Sequence, residues 1–286
     1  MERPLWDRLY RAISVVPHDE SPRARHTDRA IVATFLWAAL HDRPTCWACR
    51  PANWPDDLRP AALPSQPTMS RRLRASGVVA LLNALARHFG SSTPADWVKF
   101  LDAKPLPVGG WSKDPDAQLG RGAGGWIRGY KLYAIWGAAP VPLAFEVLPA
   151  GRPEPVVARV LTRRLAGEGY LVGDSAYDSN PLHRVAAGRG HQLVAPAKKR
   201  GRGLGHGRQE PQRLHALEML GRPYGKALGV ARLAIERQFG QLTAFGGGLG
   251  PLPAWVRRPW RVRRWVQAKI LINAARIEHN RHQLTA

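Results

Sequence analysis

The stretch YLVGDSAYDSNPL, Tyr170–Leu182, decides the fold. Tyr170, Leu171 and Val172 form a short apolar run closed by Gly173 and a carboxylate, which reads as a buried strand ending at Asp174. A short helix is predicted next, over Pro181 to Ala187, and HQLVAPA, residues 191–197, supplies another strand. Upstream, the runs DWVKFLDAKP (96–105), GYKLYAIWGA (129–138) and VPLAFEVLPA (141–150) have the same character, each bounded by Gly, Pro or Asp. Between the third and fourth runs, PEPVVARVLTRRLAGEG (153–169) is an amphipathic helix, predicted to gather Val156, Val160 and Leu161 on one side. Three strands joined by short connections, then strands joined through helices, specify a mixed five-stranded sheet with helices on its faces, an α/β class.

The segment before this sheet is helical. TDRAIVATFLWAALH (27–41) repeats apolar residues at helical spacing, with Thr27 or Asp28 placed to cap it. PSQPTMSRRLRASG (64–77) is a short helix that Ser65 or Thr68 can start and Gly77 can end, with Arg71, Arg72 and Arg74 turned outward. VVALLNALARHFG closes the segment at Gly90. Several short helices around a basic one suit a helix-turn-helix DNA reader. The expected organisation is a helical DNA-binding region over 1–94, an α/β core over 95–245 and a basic helical tail over 246–286. Residues 198–227 are expected to insert into the core as a basic loop, since KKRGRGLGHGRQEPQR is rich in Gly and Arg.

The formal charge of +22 is concentrated at the C-terminal end: residues 198–286 hold 18 Lys and Arg against four Asp and Glu. Such a field attracts polyanions, above all nucleic acid. The interleaved RRPWRVRRW, residues 257–265, adds stacking surfaces beside the charges. No apolar run is long enough to span a membrane, and the charged N-terminus does not read as an export signal, so a cytoplasmic protein is expected. The only cysteines, Cys46 and Cys49, make half of a zinc site with no second pair at finger spacing, and are expected to be reduced thiols.

Three acids stand out against this basic background. Asp102 follows the run WVKFL, Asp174 follows YLVG, and Glu236 lies in the helical stretch LAIERQFGQL. At 100° per residue, Leu228, Ala231, Ile235, Phe239 and Leu242 share one face, and Gly229, Arg232, Glu236 and Thr243 lie beside it at the border of the core. Three converging carboxylates repel one another unless a cation neutralises them. Hard oxygen ligands suit Mg²⁺ or Mn²⁺, and two such ions about 3.5–4 Å apart serve in-line displacement at phosphorus.

The order Asp, Asp, Glu, with the strings FLDAKPL, GYKLY, YLVGDSAYDSNPL and RLAIERQFGQL, resembles the insertion-sequence transposases of the DDE type over roughly residues 95–245. The resemblance implies a ribonuclease-H-like core and makes Asp102, Asp174 and Glu236 the ligands of two Mg²⁺ or Mn²⁺ ions. It also implies double-stranded DNA as substrate, a homodimer on that DNA, and cleavage of terminal inverted repeats followed by joining of 3′ ends to target DNA. In one subgroup the third motif reads Y-x2-R-x3-E-x6-K. Here Arg232 and Glu236 are kept, but Gly229 and Thr243 stand at the Tyr and Lys positions. Phosphate contacts made by the missing pair then fall to Lys131, Arg237 or the loop Lys198, Lys199, Arg200 and Arg202. A nuclease of the same fold, and a DNA-binding protein that has lost catalysis, are the alternatives.

Overall fold

In a computed structural model, residues 2–91, 96–122, 124–198, 203–204 and 207–285 are described. The chain divides into two compact units, Met1–Ser92 with Leu242–Ala286, and Thr93–Gln241. The first unit contains α1 (Glu2–Val15), α2 (Asp28–Leu40), α3 (Thr45–Ala48), α4 (Gln66–Arg72) and α5 (Ser76–Gly90). The second begins with β1 (Val98–Pro107), β2 (Gln118–Gly122), β3 (Gly125–Trp136) and β4 (Ala144–Pro149). It continues with α6 (Glu154–Thr162), β5 (Gly169–Val172), α7 (Asn180–Ala187), β6 (His191–Val194), α8 (Pro211–Gly221) and α9 (Pro223–Ala231). Helix α10 (Leu233–Thr243) follows, and the long α11 (Pro259–Thr285) ends the chain back in the first unit.

The sheet runs β2-β3-β1-β5-β6, with β4 also paired to β3. β1, β3 and β4 form an antiparallel meander, whereas β5 and β6 run parallel to β1. That is the mixed α/β sheet expected of a ribonuclease-H-like core, with six strands in place of five. The additional strand, β2, has the sequence QLGRG, whose glycines and charge carry no strand signal. It forms because β3 is long: residues 125–129 pair with β2 and residues 130–135 with β4 along the same edge.

Helices α6 and α7 cover one face, burying Val157, Leu161, Leu182 and Ala186 against Leu101, Ile135, Leu171 and Leu193. On α6 the buried face is Val157, Ala158 and Leu161, while Val156 and Val160 are 46% and 41% exposed. Two i,i+4 valine-led pairs offered themselves, and apolar spacing does not distinguish them. Residues on opposite faces alternate along β1, so Phe100, Asp102 and Lys104 share the face opposite Leu101. Helix α10 lies there: Phe239 meets Trp136 edge-on at 6.4 Å, and the Lys104 ammonium stands 5.9 Å from the Phe239 ring.

The chain re-enters helix at Pro211, well before Leu228, so much of the expected 198–227 loop is ordered helix. Periodicity misses α8 because it buries only Ala216. The helix packs beside β6, with the Gln192 amide donating to the Gln212 carbonyl at 3.0 Å, and so covers a sheet edge that would otherwise invite pairing. Asp178 ties it down: the Arg213 guanidinium donates to both carboxylate oxygens at 2.7 and 2.6 Å, and the Lys198 N–H adds a third bond.

In the first unit, Thr27 caps α2 by accepting the Ala30 N–H. Helix α4 stops at Arg72, before the predicted Gly77, which instead lies in the first turn of α5. A Cβ there would come within 2.2 Å of the buried Asp28 carboxylate, so close approach, not termination, selects glycine. Residues 246–286 fold into the same unit as the N-terminal helices. Val262, Val266 and Ile270 of α11 are buried, and its wholly buried Lys269 donates to the Ala39 and Gly247 carbonyls and to Asp42.

Burial pushes the Asp178 carboxyl up, but His183, Arg213 and the Lys198 N–H outweigh it and hold the group well below the usual carboxylate range. Its stabilisation is therefore present above pH 4 and fades as pH falls through the depressed value. Asp178→Ala should cost about 3–5 kcal/mol by stranding Arg213 beside His183; urea unfolding at pH 7 checks this, and a loss under 1 kcal/mol would refute the anchoring role.

Candidate active site

The parallel pairing of β1 with β5 matches Val98 to Tyr170, Lys99 to Leu171 and Phe100 to Val172. Continued two residues, that register sets Asp102 beside Asp174. Asp102 is still within β1, opposite Ala134 of β3, whereas Asp174 has left the sheet and caps a 3₁₀ turn, its Oδ1 accepting the Ala176 N–H at 2.8 Å. Asp102 Oδ1 accepts the Ala103 N–H at 2.8 Å.

Burial raises the Asp102 carboxyl to about 6; the Ala103 N–H opposes this, the negative charge of Asp174 adds to it, Arg232 lowers it and Glu154 raises it further. Asp102 therefore lies in the field of two other carboxylates and one guanidinium. Tyr177 sits in the same field. Its hydroxyl is held well above its ordinary value by burial, then by Glu154, Asp102 and Asp174, and has no hydrogen-bond partner among the described residues. An unpaired buried hydroxyl beside carboxylates is a polar atom that a bound ion or its water can satisfy.

Glu154 is a site residue that sequence reasoning missed. It opens α6, where a carboxylate is favoured by the helix dipole, and its Oε1 accepts from Lys131 Nζ at 2.6 Å. Its position in PEPVV looks like a helix start and nothing more. Lys131 is 5% exposed, so its ammonium is committed to Glu154 in this arrangement.

Glu236 lies in the first turn of α10. Ile235 and Phe239 are buried as the stripe requires, and Glu236 is exposed beside them. Its Oε1 stands 3.4 Å from Arg232 Nη2, the same guanidinium that acts on Asp102. Among the described residues, Asp102, Asp174 and Glu236 do not bring three ligand oxygens within 4.8 Å of one another. Arg232 links Glu236 to Asp102 and supplies positive charge there. Because Arg232 also breaks the helix between α9 and α10, its side chain leaves the chain at a bend.

His18, Glu20 and Asp28 do bring three such atoms within 4.8 Å of one another. Their oxygens are already used: Glu20 accepts the Asp28 and Arg29 N–H groups, and Asp28 accepts from Arg72 at 2.5 Å and faces His18 Nε2 at 2.9 Å. This is a helix cap fused to an ion pair. Cys46 and Cys49 are half-buried free thiols; burial and then Cys46 push the Cys49 thiol up to about 11.

Of the cations expected to meet DNA, Arg71 and Arg74 are exposed on the first unit, while Arg72 is half-buried in its ion pair with Asp28. Arg237 and Lys198 are exposed. Lys199, Arg200 and Arg202 lie outside the described residues. The β2–β3 hairpin adds Arg121, stacked 5.2 Å from the 68% exposed Trp126, which the sequence did not single out.

A mixed sheet that sets two aspartates beside each other on neighbouring strands, with a helix carrying a glutamate on the same face, is the α/β arrangement expected of a ribonuclease-H-like core. Residues 93–249 match the family model described as the transposase DDE domain, more than half of the chain, so the protein belongs to that family. No curated protein sequence matches the chain. A piggyBac transposase synaptic complex with hairpin DNA, solved by cryo-EM, aligns at a TM-score of 0.37 and 13% identity, covering 73% of this chain and 52% of that one. The chain thus spans about half the length of that transposase. No helix among the described residues is long and apolar enough to cross a membrane.

A carboxyl raised to about 6 binds its proton more tightly folded than unfolded, so stabilisation that is full below pH 4 is lost as pH rises through 6. In EDTA at pH 7.5, Asp102→Asn should stabilise the protein by about 1–3 kcal/mol, with no gain at pH 4. A variant that is less stable than the parent at pH 7.5 would show that Asp102 carries no such cost.

Proposed function

We propose that this protein is an active DNA transposase whose divalent-metal site is built from Asp102, Asp174 and Glu236. The observation that carries the reading is the Asp102–Asp174 pair, two carboxylates set side by side, with the Asp102 carboxyl raised by burial and further by the Asp174 charge. All the donors are oxygens, Tyr177 has an unpaired hydroxyl among the described residues, and a cation would offset the burial and the Asp174 charge that raise Asp102. The set therefore fits Mg²⁺ or Mn²⁺. Bound there, such ions stabilise charge on the attacking and leaving oxygens at phosphorus.

The chain's own groups have separable roles. Asp102 and Asp174 are rigid because β1 and the 3₁₀ turn fix their backbones and an N–H fixes one oxygen of each. Glu236 is exposed on its helix and turns inward only if Arg232 releases it. Arg232 holds the positive charge in the site until then, and once displaced it can bind a phosphate of the DNA. Lys131 and Glu154 brace the site from the α6 side.

On this reading the substrate is the double-stranded terminal inverted repeats of an insertion sequence. Water and then the freed 3′ hydroxyl act as nucleophiles, and two copies of the chain hold the two ends. The helical region over 1–94, the core over 95–245 and the basic tail over 246–286 divide recognition from chemistry, with Arg71, Arg74, Arg232 and Arg237 among the phosphate contacts and Lys198, Lys199, Arg200 and Arg202 gripping flanking DNA.

Asp102→Asn, Asp174→Asn and Glu236→Gln should each lower strand cleavage of labelled inverted-repeat DNA by at least about 10²–10³-fold, as loss of a charge-stabilising group does, while binding of that DNA persists. Cleavage at the parent rate in Mg²⁺ by any of the three would overturn the assignment. Cleavage without joining of 3′-labelled ends to a supercoiled plasmid would identify a nuclease instead.

A further inference from the structure

The first unit contains a cleft of about 170 Å³ between α2, α4 and the start of α11. Its floor is apolar, from Phe35, Met69, Leu73 and Val256 with the edge of Trp265. Trp255, 42% exposed, and the half-buried Trp260 form aromatic walls. Arg43, Arg261 and Arg264 line the mouth, no Asp or Glu lines the cleft, and none of these three guanidiniums has a carboxylate partner among the described residues. Arg74 and Arg261 stand 5.3 and 5.1 Å from the Trp260 ring, so that its face is already a cation-rich stacking surface.

An apolar floor with aromatic walls selects a flat ring, and a mouth with cations only selects an attached anion. A peptide helix would need a longer groove, and a paired base cannot reach a recessed floor. Resting on the reading that the chain acts on DNA, we infer that this cleft receives one unpaired nucleobase of a DNA strand, stacked against Trp260 with its phosphate at Arg261 and Arg43. Stacking on an aromatic side chain with arginine at the backbone is how unpaired strands are held without sequence preference. A free nucleotide has the same chemistry, and the test separates the two sources.

The full-length protein is titrated into three probes containing 2-aminopurine: a duplex with the base unpaired, the same duplex fully paired, and the free deoxynucleotide monophosphate. The unpaired base should lose emission on binding, and Trp260→Ala should weaken that complex about tenfold and restore emission, leaving affinity for the paired duplex within twofold. Trp260→Phe should retain most of the quenching, and Arg261→Glu should weaken the unpaired complex without changing the melting temperature. If neither substitution distinguishes paired from unpaired duplex, the inference is wrong. Quenching of the free nucleotide at the same concentrations as the duplex would equally overturn a strand-borne ligand. Selective quenching in a protein that never cleaves DNA in Mg²⁺ would instead retain the cleft and remove the transposase reading.

Discussion

The parallel pairing of β1 with β5 is the constraint on which the rest of the site depends. Its register offset is 72 residues, the same as the separation of Asp102 and Asp174, so the ladder that buries Leu101 and Leu171 also brings two like charges together. Hydrophobic burial on the α6–α7 face supplies the free energy, and Asp102 on the other side absorbs part of it as a raised pKa. A site whose components are stressed by the fold is one in which a cation gains more than it would on an open surface, because it relieves a repulsion already present.

Arg232 gives that stress a temporary outlet. It lies at the break between α9 and α10, within the field of Asp102 and 3.4 Å from Glu236. A guanidinium can neutralise carboxylates by hydrogen bonding but cannot accept the lone pairs of water or phosphate as a metal does. It therefore holds the charge balance of the site without closing it. This accounts for Glu236 being outside the inner cluster while its helix is docked by Phe239 and Ile235, since the helix position and the side-chain position are decided by different forces.

Asp174 was legible as a strand-end acid because it follows an apolar run directly, whereas Asp102 also follows one but lies within β1, whose ladder with β3 runs on to Pro107. Glu236 was legible as a border residue from the spacing of Ile235, Phe239 and Leu242, which packing then used. Glu154 was not, because its role arises from Lys131 on a strand 23 residues away and from no local pattern. Strand β2 escaped for the opposite reason: QLGRG has no propensity of its own and is strand only because β3 outruns β4. Helix α8 buries little more than Ala216, so its place beside β6 was also hidden, set as it is by Asp178 and Arg213.

Charge explains why an acidic centre is compatible with so basic a chain. The cations that sequence reading assigned to DNA divide in the structure into two groups. Arg72 and Lys131 are engaged by Asp28 and Glu154 and serve packing, whereas Arg71, Arg74, Arg237 and Lys198 are exposed and contribute to the external field. Net charge alone does not make that division, because a buried ion pair cancels within a few ångströms and is invisible to a distant phosphate. What attracts a polyanion is the unpaired remainder. Arg74 of that remainder, and the further cations Arg121 and Arg261, lie against aromatic surface, Arg121 beside Trp126 and Arg74 and Arg261 beside Trp260. Under the proposed function, long-range attraction would bring a backbone in regardless of sequence, and short-range stacking would favour bases that have left their partners.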